Sequence, residues 1–207
     1  MNEATVEQKI FLVDDDEALR DSLTWMLESH GHKVETYASA EAFLAQWSER
    51  FVGCLVLDVR MPTMSGIELF EELQRRHSVL PVIFISGHGD VPMAVALLKK
   101  GAVDFIEKPF ASEDMLRLIE NCLGREREQR HRRQIEADTA RRFAQLTARE
   151  HEVLDLILAG KLNKQIADVL SISIKTVEVH RARVMEKMGA NSLASLIQNM
   201  MTVELRR

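Results

Sequence analysis

The fold follows from residues 54–62, which run Cys-Leu-Val-Leu-Asp-Val-Arg-Met-Pro. The four apolar residues from Cys54 to Leu57 predict a strand that is buried on both faces, as the strands of parallel sheets are. Asp58 ends this strand, and the turn residues at 60–62 follow at once. Because open α/β sheets bind their ligands at the carboxyl ends of the strands, a carboxylate in this position indicates a chemical role.

The first 122 residues alternate strand-like and helix-like patterns on either side of this stretch. Strands are predicted at residues 9–13, 34–37, 53–57, 82–86 and 103–106. Helices are predicted at 17–30, 40–47, 66–76, 92–100 and from about residue 112 onward. Five strand–helix units predict an α/β domain with a five-stranded, doubly wound parallel sheet covered by helices on both faces.

Residues 123–142 differ in character, because Arg and Glu alternate there with almost no apolar stripe. Both are good helix formers, so we interpret the segment as a charged helical linker. A basic arm that binds DNA is the alternative interpretation.

From Phe143 to the end the pattern is helical. Thr147 and Glu150 fit a capping box, and the glycines at 160 and 189 are expected to end helices. Further helices are predicted at 163–170, at 174–188 and after residue 192, where residues 193, 196, 197 and 200 share one apolar face. Four helices joined by short turns predict a small all-α helix-turn-helix domain over residues 143–207.

Composition narrows the classes of protein. The chain has 207 residues, 46% of them hydrophobic, and no apolar run of membrane-spanning length or apolar leader is seen, so we expect a cytoplasmic protein without a membrane partner. Residues 1–122 carry 11 basic and 21 acidic groups, whereas residues 123–207 carry 16 and 11, which indicates separate tasks for the two halves. Of the two cysteines, Cys54 is expected to be a buried apolar residue rather than a disulfide partner or a ligand.

The strand ends carry complementary groups. Asp14 and Asp15 follow the first strand and Asp58 ends the third, and these strands are neighbours in such a sheet. Clustered carboxylates repel unless a cation is present, and hard oxygen ligands suit Mg²⁺. One carboxylate could also attack phosphorus. Lys108 and Ser86 end the fifth and fourth strands. The alternatives are a helix cap for residues 14–16, a turn aspartate at 58 and a solvated Lys108.

These motifs resemble the receiver domain of bacterial two-component response regulators, which has a flavodoxin-like fold. The resemblance rests on residues 13–16 (Val-Asp-Asp-Asp), 57–66 (Leu-Asp-Val-Arg-Met-Pro-Thr-Met-Ser-Gly), 86–89 (Ser-Gly-His-Gly) and 108–110 (Lys-Pro-Phe). It implies that Asp58 accepts a phosphoryl group from a sensor histidine kinase. It also implies one Mg²⁺ per receiver, held by Asp14, Asp15, Asp58 and the backbone carbonyl of Arg60. Ser86 and Lys108 would contact the phosphoryl oxygens, and Phe105 would be a switch that acts by packing alone, because it lacks a hydroxyl.

Residues 143–205 carry three motifs, at 146–150 (Leu-Thr-Ala-Arg-Glu), 163–167 (Asn-Lys-Gln-Ile-Ala) and 173–183 (Ser-Ile-Lys-Thr-Val-Glu-Val-His-Arg-Ala-Arg). Together these motifs resemble the LuxR-type helix-turn-helix of FixJ/NarL-like regulators. Helical spacing predicts Val177, Val184 and Met188 on the core side. The resemblance implies base-reading positions at Glu178, Val179 and Ala182. It implies phosphate contacts from Lys164, Lys175, Thr176, Arg181 and Arg183.

Together these features predict a transcription factor that is controlled by phosphorylation. We do not expect an enzyme, apart from the self-phosphorylation and self-dephosphorylation of a receiver. Phosphorylation would release the output domain or drive formation of a homodimer through residues 91–105. The dimer would bind double-stranded promoter DNA and act with RNA polymerase, with activation the expected outcome. The alternatives are an enzyme that turns over phosphate esters through an aspartyl intermediate, and a DNA-binding protein regulated without phosphate.

Overall fold

The structure is a computed structural model that describes residues 7–87 and 91–204, with the backbone alone for 202–204. The chain divides into two compact units, one reaching Gln129 and the other starting at Arg130. This division lies inside the segment 123–142, and the limits of a linker there remain a prediction. No helix in the described ranges is long and apolar enough to cross a membrane.

The first unit is built on a five-stranded parallel sheet in the order β2-β1-β3-β4-β5. The strands are β1 (Lys9–Val13), β2 (Lys33–Tyr37), β3 (Gly53–Asp58), β4 (Val82–Ser86) and β5 (Asp104–Glu107). The predicted sheet is thus confirmed, with β5 starting one residue later than expected. Val13 pairs with Leu57, and Asp58 pairs with Ile85, so the carboxyl ends of β1, β3 and β4 lie along one edge.

Helices cover both faces of this sheet. They are α1 (Glu17–Ser29), α2 (Ala40–Gln46), α3 (Gly66–Arg75), α4 (Val91–Lys99) and α5 (Ser112–Ala144). Alternate residues of a strand enter different apolar clusters: Leu55 and Leu57 pack on one side of the sheet, and Cys54 and Val56 on the other. This two-sided burial explains the unbroken apolar run of β3.

Helix α5 continues through the whole segment 123–142 and supplies residues to both units. Cys54 is buried and its thiol is free, as is the buried thiol of Cys122 on α5.

The second unit consists of the end of α5 with α6 (Ala148–Leu158), α7 (Asn163–Leu170), α8 (Ile174–Met188) and α9 (Leu193–Glu204). The predicted capping box of Thr147 and Glu150 is present, and Gly189 ends α8 with φ +62°. The apolar face of α9 is only half covered: Leu196 and Met200 are buried in the core, whereas Leu193 and Ile197 remain exposed.

Candidate functional site

Two carboxylates and one ammonium meet at the carboxyl edge of the sheet. Asp14 follows β1, Asp58 ends β3 and Lys108 follows β5. The Lys108 Nζ donates to Asp14 Oδ2 at 2.8 Å and to Asp58 Oδ1 at 2.7 Å. Asp14 is 1% exposed and Asp58 is 5% exposed. The ammonium therefore joins two nearly buried carboxylates on neighbouring strands.

The three consecutive acids after β1 have different surroundings. Asp14 Oδ1 accepts from the backbone N–H of Asp16 at 2.9 Å, which holds its carboxylate toward the sheet edge. Asp16 caps α1 by accepting from the N–H of Leu19, so the predicted helix cap falls on this residue. Asp15 between them is exposed. A helix cap and a buried carboxylate of the sheet edge therefore lie within three residues of each other.

The loop after Asp58 is packed tightly against the strand end. Asp58 Oδ2 accepts from the backbone N–H of Arg60 at 2.7 Å, and the N–H of Gly66 donates to the Val59 carbonyl at 3.1 Å. A Cβ at Gly66 would lie 2.0 Å from the Asp58 carbonyl oxygen. Only a glycine allows α3 to begin this close to the site.

The protonation of the site reflects opposed influences. Burial raises the pKa of Asp58, and the charge of Asp14 adds to this, while Lys108 and the Arg60 N–H act against both; the net direction is upward. Burial by itself would lower the pKa of Lys108, but its hydrogen bonds to Asp14 and Asp58 outweigh burial and raise it. The lysine is thus held as an ammonium between the two carboxyl groups.

Two further predicted residues lie near this edge. Ser86 ends β4 and is buried, and Phe105 in β5 is half-buried and packs against one of the two apolar clusters. The His88-Gly89 part of the fourth-strand motif lies outside the described residues.

The donor set suits a hard cation. Asp14, Asp58 and the Arg60 carbonyl offer only oxygen, and the two carboxylates already share one cationic group. In residues 7–87 and 91–204, however, no three His, Cys, Asp or Glu side chains gather as metal ligands. The exposed Asp15 is therefore not brought together with the other two acids. Two carboxylates and a backbone carbonyl would leave several positions for water, as Mg²⁺ prefers.

The second site is the helix-turn-helix formed by α7, a three-residue turn and α8. Ser171 adopts a left-handed conformation with φ 53°, and Ser173 caps α8 by accepting from the N–H of Thr176 at 3.1 Å. Val177, Val184 and Met188 are buried, as predicted. Seven of the eight predicted DNA contacts are exposed: Lys164, Lys175, Thr176, Glu178, Val179, Ala182 and Arg183.

Arg181 differs from these seven residues. It is half-buried, and its Nη1 donates to Asn163 Oδ1 at the start of α7 at 3.3 Å. The spacing contained a signal for this, because Arg181 lies four residues after Val177 and three before Val184, which places it beside the buried stripe.

This sheet, with a buried aspartate at its carboxyl edge and a helix-turn-helix unit in the same chain, defines a two-component response regulator with a DNA-binding output. Residues 10–120 match the model of the response regulator receiver domain, and residues 144–200 match that of bacterial regulatory proteins of the luxR family.

Known proteins resemble the chain over almost its full length. The transcriptional regulatory protein FixJ of Bradyrhizobium diazoefficiens is 42% identical over 94% of this chain and 95% of its own. FixJ of Azorhizobium caulinodans is 45% identical over 91% and 90%. The solved structure of the response regulator StyR is 42% identical, covers 94% of this chain and 98% of its own, and superposes with a TM-score of 0.86.

The chain belongs to the FixJ-type response regulators, which join a receiver to a luxR-family domain. It regulates transcription and is not an enzyme of phosphate-ester turnover.

Proposed function

We propose that Asp58 is the phosphoacceptor through which a sensor histidine kinase controls this regulator. The observation that carries the proposal is the position of Asp58, which is nearly buried at the end of β3 and bonded to the Lys108 ammonium. A carboxylate can attack phosphorus, and a fixed cation beside it can stabilise the negative charge that develops on the phosphoryl oxygens during the transfer.

Several residues of the chain have separate roles in the phosphoryl transfer. An Asp58 oxygen forms the new O–P bond while the bond from phosphorus to the donor histidine nitrogen breaks, and that nitrogen leaves with the electron pair. Lys108 exchanges its hydrogen bond to Asp58 Oδ1 for one to a phosphoryl oxygen. The Ser86 hydroxyl donates a hydrogen bond to another phosphoryl oxygen. Asp14, Asp58 and the Arg60 carbonyl would hold one Mg²⁺ per receiver, which would offset the phosphoryl charge. Asp15, which is exposed, would join them only by turning its carboxylate toward this edge.

The new bonds would favour a second conformation of the receiver. Lys108 leaves its contact with Asp58, Ser86 turns toward the phosphoryl group, and Phe105 packs further into the apolar cluster that it already contacts. A phosphoryl group acts as a switch when it binds one of two states more tightly.

DNA recognition is assigned to the exposed face of α8. Glu178, Val179 and Ala182 reach base edges, where an acid can accept from cytosine and a small apolar side chain can contact the thymine methyl group. Phosphates are contacted by Lys164, Lys175, Thr176 and Arg183, which orient the protein without specifying sequence. Arg181 reaches a phosphate only by leaving Asn163.

The remaining partners follow from this assignment. Phosphorylated chains pair through α4 and β5, and a dimer suits paired half-sites on promoter DNA. Contact with RNA polymerase would then activate transcription. Because the phosphoryl donor of the kinase and the chromosome are both reached in the cytoplasm, we expect this activity there.

The test is labelling of the full-length chain with acetyl phosphate and Mg²⁺. Asp58→Asn is expected to remove the label and to weaken promoter binding. Asp21→Asn is the matched control, because Asp21 is an exposed carboxylate on α1, outside both the Asp58 site and the proposed pairing face. If Asp58→Asn is labelled as strongly as the wild type, another residue is the phosphoacceptor.

A further inference from the structure

Both helices of the helix-turn-helix end on a guanidinium group supplied by an earlier helix. Arg149 of α6 donates from Nη2 to the carbonyl of Leu170, the last residue of α7, at 2.7 Å. Arg142 of α5 donates from Nη1 to the carbonyl of Met188, the last residue of α8, at 3.3 Å. The last four carbonyls of a helix lack partners within it, and a cation there also interacts favourably with the helix dipole.

The end of α8 is fixed from two sides. The Met188 carbonyl also accepts from Asn199 Nδ2 of α9 at 3.1 Å. A Cβ at Gly189 would lie 2.3 Å from Arg142 Nη1, so the guanidinium lies directly against the residue that ends the helix. The helix that carries the DNA-facing residues is thus held at its far end by α5 and α9.

Arg149 fixes the turn between α7 and α8. Its other terminal nitrogen, Nη1, bonds Glu152 Oε2 at 2.6 Å in a pair that is open to solvent, so the bond to Leu170 is the contact that joins Arg149 to the turn. Leu170 is followed by the left-handed Ser171 and by Ser173, which caps α8. The direction in which α8 leaves the turn is therefore set at the carbonyl that Arg149 holds.

We propose that Arg142 and Arg149 are positioning residues for DNA recognition and do not contact phosphates. They fix the two helix ends and thereby the angle at which the first half of α8 meets the base edges. The proposal rests on the DNA-binding function of this unit. Recognition groups must be held within about 0.5 Å and 10–20° of their productive geometry, so losing either anchor should weaken base reading before it weakens general attraction to DNA.

The experiment compares two DNA duplexes with the full-length chain. One duplex is selected from a randomised library by the wild type, and the other is a scrambled sequence of the same composition. Arg142→Ala and Arg149→Ala are each expected to bind the selected duplex about fivefold to tenfold more weakly, the scale of one ordinary hydrogen bond in a protein. Affinity for the scrambled duplex should not change, nor should the slope of log affinity against log salt. Arg142→Lys and Arg149→Lys keep a charged donor and should regain part of the loss.

Two controls isolate the contacts. Arg141→Ala removes the same charge one residue away, where the arginine pairs with Asp138 at 3.3 Å. Glu152→Gln removes the ion pair of Arg149 but leaves its bond to Leu170. Both controls should match the wild type. Measurements are made at a temperature where circular dichroism shows each variant folded; Arg142 is exposed, so its removal leaves the core intact.

Two results would overturn the proposal. Equal losses on both duplexes, with a salt slope smaller by about one, would assign the arginine to a phosphate contact. Unchanged affinity of both alanine variants for the selected duplex would show that the helix ends need no anchor. The library selection by the wild type tests DNA binding on its own, so the two conclusions stay separate.

Discussion

The Asp58 carboxyl group lies where its ionised form is disfavoured overall. Burial and the neighbouring Asp14 charge raise its pKa more than Lys108 and the Arg60 N–H lower it. A group whose pKa is raised in the folded state stabilises folding below its unfolded pKa, here 3.8, and that contribution is lost as pH rises through the folded pKa. At neutral pH the ionised carboxylate therefore reduces the stability of the folded receiver.

Replacing this carboxylate should therefore stabilise the receiver. Asp58→Asn keeps an oxygen that can accept from Lys108 but removes the buried charge, so the melting temperature at pH 7 should rise by a few degrees. The gain should shrink as pH falls toward about 4, because the wild-type carboxyl group becomes protonated. Scanning calorimetry of both proteins at several pH values measures this, and a variant that melts lower than the wild type at neutral pH would contradict it.

Replacing Gly66 with alanine should reduce both the stability of the chain and its labelling. Its Cβ would lie 2.0 Å from the Asp58 carbonyl oxygen and 2.9 Å from Leu57 Cγ, so β3 or α3 must shift. We expect Gly66→Ala to destabilise the chain by about 2 kcal/mol or more, as overpacking does, and to slow labelling at Asp58. Gly124→Ala is the matched control: it lies inside α5 with no heavy atom within 4 Å of its Cβ position. That change should instead stabilise the helix by up to about 1 kcal/mol, and urea denaturation distinguishes the two.

At the scale of elements, sequence patterns predicted what depends on local or periodic causes. Buried parallel strands are apolar throughout, and the capping box of Thr147 and Glu150 satisfies neighbouring N–H groups, so both leave local signals. The meeting of Lys108 and Asp14, which are 94 residues apart, was predictable because strand order brings strand ends together.

The contacts that sequence reasoning missed are bonds from side chains to the ends of distant helices. Arg142 and Arg149 have neither an apolar period nor a motif that distinguishes them from arginines that contact phosphate. Their roles depend on which carbonyl lies within reach, and only the packed helices decide that. The half-covered face of α9 was unpredictable for the same reason. The sequence pattern shows which residues of α9 form an apolar face, but only the packed structure shows how much of that face the neighbouring helices cover.

Helices α6 and α8 are joined by an ion pair whose effect depends on pH. Glu150 is 2% exposed and its Oε2 accepts from Lys187 Nζ at 2.6 Å. This bond, together with the Thr147 N–H, lowers the pKa of Glu150 from 4.5 to about 2. A lowered pKa contributes stability that is present above the unfolded value and is lost as pH falls through the folded one.

Acid should therefore weaken the helix-turn-helix unit between pH 4.5 and about 2. Glu150→Gln should be less stable than the wild type at neutral pH by about 2 kcal/mol, because Lys187 loses its nearly buried partner. The two proteins should converge near pH 2. Glu152→Gln is the control, because Glu152 is exposed and its pair with Arg149 contributes little. Helical circular dichroism during an acid titration measures both; a constant difference between wild type and Glu150→Gln would refute the assignment.

At the scale of the whole molecule, the charge asymmetry acquires a function. The acidic half contains the phosphoacceptor candidate, and the basic half contains the exposed face of α8 that we propose contacts DNA. An excess of basic groups in one unit favours association with phosphates, whereas the acidic receiver would oppose it, so binding by the full chain should depend steeply on salt.

One exposed apolar stripe of the receiver suits pairing of two copies. Val91, Val95 and Leu98 of α4 lie on one helix face at spacings of four and three, and Val91 is 77% exposed. Contiguous apolar surface of this kind commonly marks an interaction site. It belongs to the face, residues 91–105, through which we propose that phosphorylated chains associate.

A charge in this stripe should block the dimer without affecting the chemistry. Val95→Asp would bury an unpaired carboxylate in the interface, so the acetyl-phosphate-treated chain should stay monomeric in sedimentation equilibrium while labelling at Asp58 continues. Trp25→Ala is the control, because Trp25 is 76% exposed on α1 and its loss removes more apolar surface from a different face. If Val95→Asp still dimerises on phosphorylation, or if Trp25→Ala prevents it, the pairing surface lies elsewhere. Loss of promoter affinity in Val95→Asp alone would then link receiver pairing to occupation of paired half-sites.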